Sequence, residues 1–389
     1  MFVIKKCIAF SLLLGFGGLL ALLLRFSISS FQSLDHLPET SASKNSKPKL
    51  ANDPLLSEDV HALSRTTPAA GRKESSSRGL VIPRLMQDNM AWLDETVADL
   101  AVTTYVADNI SAPLHPPMNK GHEVMTYLSY IIDHYDRLPG IILFMHSHHH
   151  AIHNSDVFDL DALQMIQHLQ DDHVHRQGYF NMRCNWSPGC PEWLDPTVEQ
   201  ETLSKQEQAV LAQSWRELFP TAALPARLGQ ACCAQFAVSR ARILSIPRSR
   251  FVFYRDWLLK TPLSDYISGR IWEYSWQYVF ARGRETYCPA EHVCYCDGYG
   301  VCFEGEGDYR RFAEVIERRK EYRKRLGIVR EDPADGSNGD ERSSSYSVEQ
   351  DVSLLEEQIA QLDQQIIRQR AEALQHGMDL KSQRNRLRI

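Results

Sequence analysis

The chain has 389 residues, which is enough for one sizeable domain with a membrane anchor and tails. Hydrophobic residues make up 43% of it and charged residues 24%, and this balance excludes wholesale disorder. The net charge of -6 provides no basic field for nucleic acid, so we expect no nucleic-acid partner.

The N-terminal region carries an apolar segment at residues 7–24, with basic residues on both sides and no charge inside. As an α-helix it would span about 27 Å, close to the thickness of an endoplasmic reticulum bilayer. We therefore predict a cytosolic tail at 1–6, a transmembrane signal anchor at 7–24 and a lumenal body, as in a type II single-pass protein of the endoplasmic reticulum or Golgi. The alternative is a cleaved signal peptide, because the small residues at 27–29 resemble a processing site.

The next segment, residues 25–84, is rich in Ser, Pro, Lys and Asp, a composition that predicts a flexible stem. The folded domain is expected over residues 85–303. The remaining segments are predicted to be a charged helix at 304–328, a disordered linker at 329–349, a coiled-coil-like helix at 350–376 and a basic tail at 377–389.

The predicted C-terminal helix has an apolar seam with alternating three- and four-residue steps, formed by Val352, Leu355, Ile359, Leu362 and Ile366. This is the a/d pattern of a coiled coil, and it covers about two to three heptads. We expect either a weak coiled coil or a helix that docks on a helical partner through residues 352–366. A lone helix of marginal stability is the alternative.

Strands and helices are predicted to alternate in the first half of the domain. A β-rich apolar run at 100–107 is followed by a helix that opens at 119–123, and then by a buried strand at 141–145. This order predicts a βαβ unit within an α/β domain, whose single mixed or mostly parallel sheet is flanked by helices. Functional groups are then expected at the carboxyl ends of the strands.

Five imidazoles follow the second predicted strand within eight residues, at His146, His148, His149, His150 and His153. Neutral imidazole is a good ligand for several transition metals. We predict a loop that binds a divalent metal (Mn or Zn) or phosphate, with His146, His148 and His153 as the metal ligands. The alternative is that these histidines make buried hydrogen bonds in a polar loop.

The start of the first predicted helix carries residues suited to nucleotide binding. Free N–H groups at a helix start bind diphosphates, and a lysine beside them would assist. Lys120, Gly121 and Glu123 are therefore candidates for substrate or nucleotide binding. Asn154, in the loop after the second predicted strand, is a further candidate. A structural role in capping the helix is the alternative for residues 119–123.

A second polar cluster opens a predicted helix in the second half of the domain. Glu273 is a candidate general base, and Arg270 is a candidate for holding a diphosphate leaving group. His148 is a further catalytic candidate. The alternative for Arg270 and Glu273 is an ion pair, because they are three residues apart on one helix. Trp272 and Trp276 are expected in the core.

Eight cysteines lie outside the predicted anchor, and an even number in a lumenal protein predicts disulfides whose pairing the sequence cannot choose. They are Cys184, Cys190, Cys232, Cys233, Cys288, Cys294, Cys296 and Cys302. The sequon at Asn109 is a candidate glycosylation site in the same compartment.

Eight blocks of sequence between about 119 and 303 closely resemble a fungal family known only as domain of unknown function 3431. The blocks occur in the order NKGHE, YLSYIIDHYDRLP, FMHSHHHAIHN, GYFNMRCNWSPGCP, CCAQFAVSRARI, YRDWL, SGRIWEYSWQYVF and CYCDGYGVCF. The resemblance implies a fungal, anchored protein that is lumenal or extracellular. It implies no activity.

More distantly, the predicted strand, helix and second strand are similar to the nucleotide-sugar half of glycosyltransferases with the A-type fold. The chain carries His146, Ser147 and His148 where those enzymes have an Asp-x-Asp pair. This similarity implies a site for a nucleotide sugar and a glycan acceptor.

Two functions from different classes fit this sequence. The first is a type II membrane glycosyltransferase-like enzyme of the fungal secretory pathway, which transfers a sugar from a nucleotide donor to a glycan or protein hydroxyl. The second is a non-catalytic, membrane-anchored binding or scaffold protein. The enzyme hypothesis predicts that His146, His148, Glu123 and Glu273 converge on one pocket, whereas the scaffold hypothesis predicts scattered positions.

Overall fold

The fold is taken from a computed structural model that describes residues 77–93, 100–198, 202, 204–331 and 341–386. All of these residues belong to one compact unit, Glu58–Ile389. The predicted tail and anchor at 1–24 and most of the predicted stem lie outside the described residues. Within the described part of the chain, no helix combines the length and the apolar character needed to cross a bilayer.

The centre of the domain is a five-stranded sheet in the order β2, β1, β3, β6, β4, with a separate pair formed by β5 and β7. The strands are β1 (Arg78–Arg84), β2 (Ala101–Val106), β3 (Ile141–Phe144), β4 (Tyr179–Asn181), β5 (Gly229–Gln230), β6 (Phe236–Ser239) and β7 (Thr286–Tyr287). Strand β1 pairs in parallel with β2 and β3, whereas β6 pairs antiparallel with β3 and β4. Four strands of the central sheet therefore share one direction and β6 opposes them, which confirms a mixed, mostly parallel α/β sheet.

The predicted strands at 100–107 and 141–145 are β2 and β3, but the stem boundary at Arg84 is wrong. Residues 78–84 form β1, which lies between β2 and β3 and buries Leu80, Val81 and Ile82 completely. The domain therefore begins before residue 78. Pro83 of this strand pairs only with β2, because the pairing with β3 ends at Val81. The missing proline N–H therefore breaks no bond to β3.

Eleven α-helices occur in the described residues. They are α1 (Val124–His134), α2 (Ala162–His168), α3 (Asp171–Gln177), α4 (Gln208–Leu218), α5 (Arg240–Leu244), α6 (Arg248–Lys260), α7 (Asp265–Glu273), α8 (Trp276–Phe280), α9 (Glu291–Tyr299), α10 (Glu306–Glu331) and α11 (Glu341–Arg386). Short 3-10 turns lie at Ala91–Leu93, Tyr135–Arg137 and Asp156–Phe158. Helix α1 is the helix predicted between β2 and β3, and the predicted helix through Trp272 and Trp276 is divided into α7 and α8.

The sheet has a hydrophobic core on each face, because successive side chains of a strand point to opposite sides. Ile142 and Phe144 of β3 join a core with α1 and the buried tryptophans of α7 and α8. Ile141 and Leu143 join a second core with α2, α9, α10 and α11. The domain therefore has three layers, with helices covering both faces of the sheet.

Four disulfides pair the eight cysteines that lie in the described residues, which confirms the disulfide framework. The pairs are Cys184–Cys294, Cys190–Cys288, Cys232–Cys233 and Cys296–Cys302. The first two link the segment after β4 to the region of α9 and hold two distant parts of the chain together. Asn109 of the predicted sequon lies in the turn after β2, where its side-chain oxygen accepts the N–H of Ser111.

The C-terminal helices α10 and α11 pack on each other and on one face of the domain. Phe312, Val315 and Ile316 of α10 are buried, as expected for a charged helix that packs on the domain surface. Leu362 and Ile366 of the predicted seam lie in the same core, so this seam faces the chain's own α10. Helix α11 begins at Glu341 and ends at Arg386, so the expected linker and basic tail are both partly helical.

Replacement of Ile366 by alanine should destabilise the domain by about 2–5 kcal/mol, because Ile366 is fully buried between α11 and the core. The adjacent Ile367 is 50% exposed, and Ile367→Ala should change the free energy of unfolding by less than about 0.5 kcal/mol. Urea unfolding of both variants checks this. Equal effects of the two substitutions would contradict the docking of α11 on its own domain.

Candidate active site

The candidate site lies at the edge of the sheet where the parallel strands end. Phe144, Phe236 and Asn181 form one row across β3, β6 and β4. His146 follows β3, Arg183 follows β4, and the antiparallel β6 begins at this same edge. The chain also places β2 and β3 on opposite sides of β1, and ligands of open α/β sheets bind at such a reversal of strand order.

A tight loop before α1 places Glu123 at this edge. Gly121 adopts a φ of +72°, and a Cβ there would lie 2.8 Å from Leu258, so only glycine fits without strain. The ammonium group of Lys120 donates a hydrogen bond to the backbone carbonyl of Thr261, and this bond helps to hold the loop. The Glu123 side chain makes no capping bond, and its Oε2 lies 3.9 Å from Nε2 of His146.

His146 and His153 form a half-buried imidazole pair. Their Nδ1 atoms are 2.9 Å apart, so one ring donates a proton to the other. Nε2 of His146 is buried and has no partner at hydrogen-bond distance. Burial lowers the pKa of His146 to about 3, and the neighbouring His153, His148 and His122 add to the effect. His146 is therefore neutral at physiological pH.

Gln235 holds the loop that carries these histidines. Its side-chain oxygen accepts the N–H of His146 at 3.0 Å, and its amide donates to the carbonyl of His153 and to Oδ1 of Asn154. Asn154 in turn donates to the carbonyls of His149 and Leu160. Asn154 is buried, and its side-chain amide donates its hydrogen bonds to other residues of this loop, so it supports the loop from within.

Arg270 joins two carboxylates rather than facing an open anion site. Its guanidinium donates to Oε2 of Glu273 at 2.9 Å and to Oε1 of Glu207 at 2.9 Å. The ion pair within α7 is therefore confirmed, and the predicted contact of Arg270 with a diphosphate is replaced by these two bonds. Glu207 is almost fully buried, yet it was missed because it stands in the polar run LSKQEQ, which carries no catalytic motif.

Two buried carboxyl groups interact across the site. Burial raises the pKa of Glu123 to about 8, and the charge of Glu273 adds to this. Burial also raises the pKa of Glu273, but the guanidinium of Arg270 opposes that rise. Glu273 has an arginine partner, whereas Glu123 has no ion-paired lysine or arginine in the described part of the chain, so the ionised form of Glu273 is the better stabilised of the two.

Arg183 is a second arginine at this edge. Its guanidinium lies 2.7 Å from Sγ of Cys232 and 3.0 Å from the carbonyl of Ser187. Burial lowers the pKa of Arg183, and its Nε is buried without a partner. Among the residues that the structure describes, no carboxylate forms an ion pair with it. Sequence reasoning missed Arg183, because a single arginine beside a cysteine carries no motif.

The predicted metal ligands do not form one site. His146 and His153 adjoin, but His148 is exposed, and no group of three donor atoms in the described residues includes any of them. The donor atoms that do come together belong to His149, His150 and Asp161. His148 nevertheless lies near enough to affect the pKa of His146, so it stands at the rim of the candidate site.

The family description "Protein of unknown function (DUF3431)" matches residues 80–297, which include all of β3, β4 and β6 and the loops that carry the site. The chain belongs to this family. The match begins inside β1, in agreement with a domain that starts before the expected boundary at Arg84. No curated protein and no solved structure matches the chain. The similarity to A-type glycosyltransferases therefore has no matching relative to support it.

The raised pKa of Glu123 makes the stability of this DUF3431 protein depend on pH. In the unfolded chain Glu123 loses its proton near the ordinary pKa of 4.5, whereas in the folded chain it keeps the proton up to about pH 8. The stabilisation of the folded state by this proton is therefore complete below pH 4.5 and is lost as the pH rises to about 8. Glu123→Gln should remove it. The free energy of unfolding of the wild type should then fall relative to that of Glu123→Gln, with a slope of up to about 1.4 kcal/mol per pH unit.

Chemical denaturation from pH 5 to pH 9 provides the measurement. Glu314→Gln on the exposed surface of α10 is the matched control, and it should keep the pH dependence of the wild type. Parallel curves for the wild type and Glu123→Gln would show that Glu123 ionises normally in the folded protein.

Proposed function

We propose that this protein is a glycosyltransferase-like enzyme, which transfers a sugar from a nucleotide donor to the hydroxyl of a glycan or protein. The observation that carries the proposal is the meeting of Glu123, Glu273 and the neutral His146 at the carboxyl edge of the sheet. Buried titratable groups with different proton affinities at such an edge are typical of acid–base catalysis.

Glu273 is the proposed general base. Its carboxylate accepts a hydrogen bond from Arg270, which favours the ionised form and fixes the orientation of the side chain. In the proposed reaction the acceptor oxygen forms a bond to the anomeric carbon of the donor sugar while its proton moves to Glu273. The bond between that carbon and the diphosphate oxygen breaks, and the nucleoside diphosphate leaves as an anion. Glu123, protonated at neutral pH, donates a hydrogen bond to a substrate oxygen.

Arg183 is the proposed contact for the diphosphate. The surroundings of Arg183 neutralise its positive charge only in part. Burial lowers its pKa, and its nearest partners are a sulfur atom and a backbone carbonyl. A bound diphosphate would supply the missing negative charge, and a guanidinium is well suited to phosphate oxygens. Arg183 thus takes the role that the sequence suggested for Arg270.

The proposed compartment is the lumen of the endoplasmic reticulum or Golgi. Four disulfides in the domain support an oxidising environment. The apolar segment at residues 7–24 would supply the membrane anchor of a type II protein. A short tail, an anchor and a disulfide-linked α/β domain would place the site on the lumenal side.

The test is release of nucleoside diphosphate from a panel of nucleotide sugars by the full-length protein, with and without Mn²⁺ and with glycan acceptors. Glu273→Gln should lower the rate by about 10²–10⁴-fold, the usual contribution of a general base. Arg183→Met should weaken donor binding, whereas Glu314→Gln on the surface of α10 should leave both quantities unchanged.

Circular dichroism of each variant controls for folding. A wild-type protein that neither binds nor cleaves any donor would reject the enzyme proposal and leave the scaffold function. Unchanged kinetics in both Glu273→Gln and Arg183→Met would reject the assigned roles.

A further inference from the structure

Three metal-ligating side chains meet outside the acid–base cluster. Nε2 of His149 lies 3.1 Å from Oδ1 of Asp161, and Nε2 of His150 lies 3.8 Å from Oδ2. The three donor atoms all lie within 4.8 Å of one another. Two residues come from the start of the loop after β3 and one from its end, so the fold, rather than sequence proximity alone, brings them together.

The backbone around these residues is held firmly. His150 and Asp161 form an antiparallel bridge, and the carbonyl of His149 accepts the N–H of Ala162 at 2.9 Å. The His149 ring also stacks on Trp92, with the ring centroids 5.4 Å apart. The two ends of the loop therefore keep a fixed separation, and a ligand would find at least two donors already positioned.

The two oxygens of Asp161 have different surroundings. Oδ1 accepts the N–H groups of Leu163 and Gln164 at the start of α2, which fixes the orientation of the carboxylate, and it also lies beside Nε2 of His149. Oδ2 faces the exposed His150. Hydrogen bonds that orient a ligating carboxylate in this way are a regular feature of metal sites.

We propose that His149, His150 and Asp161 bind a divalent transition-metal ion of the zinc type. Two imidazoles with one carboxylate are a donor set for such ions, whereas Mg²⁺ and Ca²⁺ prefer oxygen ligands throughout. The metal takes the place of the proton on Nε2 of His149, which moves to Nδ1 of the same ring, and it draws in the exposed His150 ring. A fourth position stays open for water or an anionic ligand.

The distances fit this ion. Donors at about 2.0–2.1 Å from a tetrahedral zinc are about 3.3 Å from each other. Nε2 of His149 and Oδ1 of Asp161 are already close to this spacing, at 3.1 Å. His150 requires a movement of the order of 1 Å, which its exposed side chain permits. The site needs none of the residues assigned to catalysis above, so it stands whether or not the protein transfers sugars.

Titration of the full-length, chelator-treated protein with ZnCl₂ tests the proposal, and the visible absorption of bound Co²⁺ reports the coordination. One equivalent should bind to the wild type. His150→Ala should weaken Zn²⁺ binding by about tenfold or more and abolish the Co²⁺ spectrum. His148→Ala is the matched control, because it removes a neighbouring exposed imidazole outside the trio, and it should bind as the wild type does.

Each other outcome overturns the proposal. Absence of Zn²⁺ binding by the wild type would show that the trio is a hydrogen-bonded structural cluster. Unchanged binding in His150→Ala, or loss of binding in His148→Ala, would assign the metal to other histidines of the loop. Melting temperatures of both variants without metal confirm folding, and the nucleotide-sugar assay, run separately, distinguishes failure here from failure of the proposed function.

Discussion

The candidate site is governed by one electrostatic constraint: two largely buried carboxyl groups interact, and Arg270 pairs with only one of them. Arg270 supports the ionised form of Glu273, whereas Glu123 has no ion-paired lysine or arginine among the residues that the structure describes. A neutral His146 beside Glu123 adds no compensating charge. This asymmetry favours the proton on Glu123 and the negative charge on Glu273, and the sheet edge, the loop after β3 and the glycine turn before α1 hold the two groups in place.

The loop after β3 is held from both sides. On the inner side, Gln235 fixes its backbone at His146 and His153. On the outer side, Arg319 of α10 and Arg370 of α11 each lie 2.7 Å from a carboxylate oxygen of Asp159. The C-terminal helices are thus part of the support of the site as well as of the core. Their arginines hold a half-buried carboxylate in a loop that would otherwise carry several unpaired polar groups.

The sequence predicts the helices and strands whose apolar pattern lies within the segment itself. It does not predict those that are recognised only by their contacts with other parts of the chain. The apolar runs of β2 and β3 and the helical spacing of α1 are enough to place them, because burial follows directly from the pattern. The sequence does not reveal β1, because the polar composition of residues 25–84 predicts a stem and the strand is recognised only by its pairing with β2 and β3. The same limit applies to the site: Glu123 and Glu273 were found by type, but Glu207 and Arg183 became visible only when the fold placed them, and Asn154 was found to serve the scaffold.

The most direct test of this account is the protonation of Glu123 itself, measured by difference infrared spectroscopy between the wild type and Glu123→Gln over a range of pH. The account predicts a protonated-carboxyl band in the wild type at pH 7 that is absent from the variant and disappears as the pH rises through about 8. A spectrum without that band at pH 7 would show that both carboxyl groups are ionised together, and the proposed division of roles between Glu123 and Glu273 would be wrong.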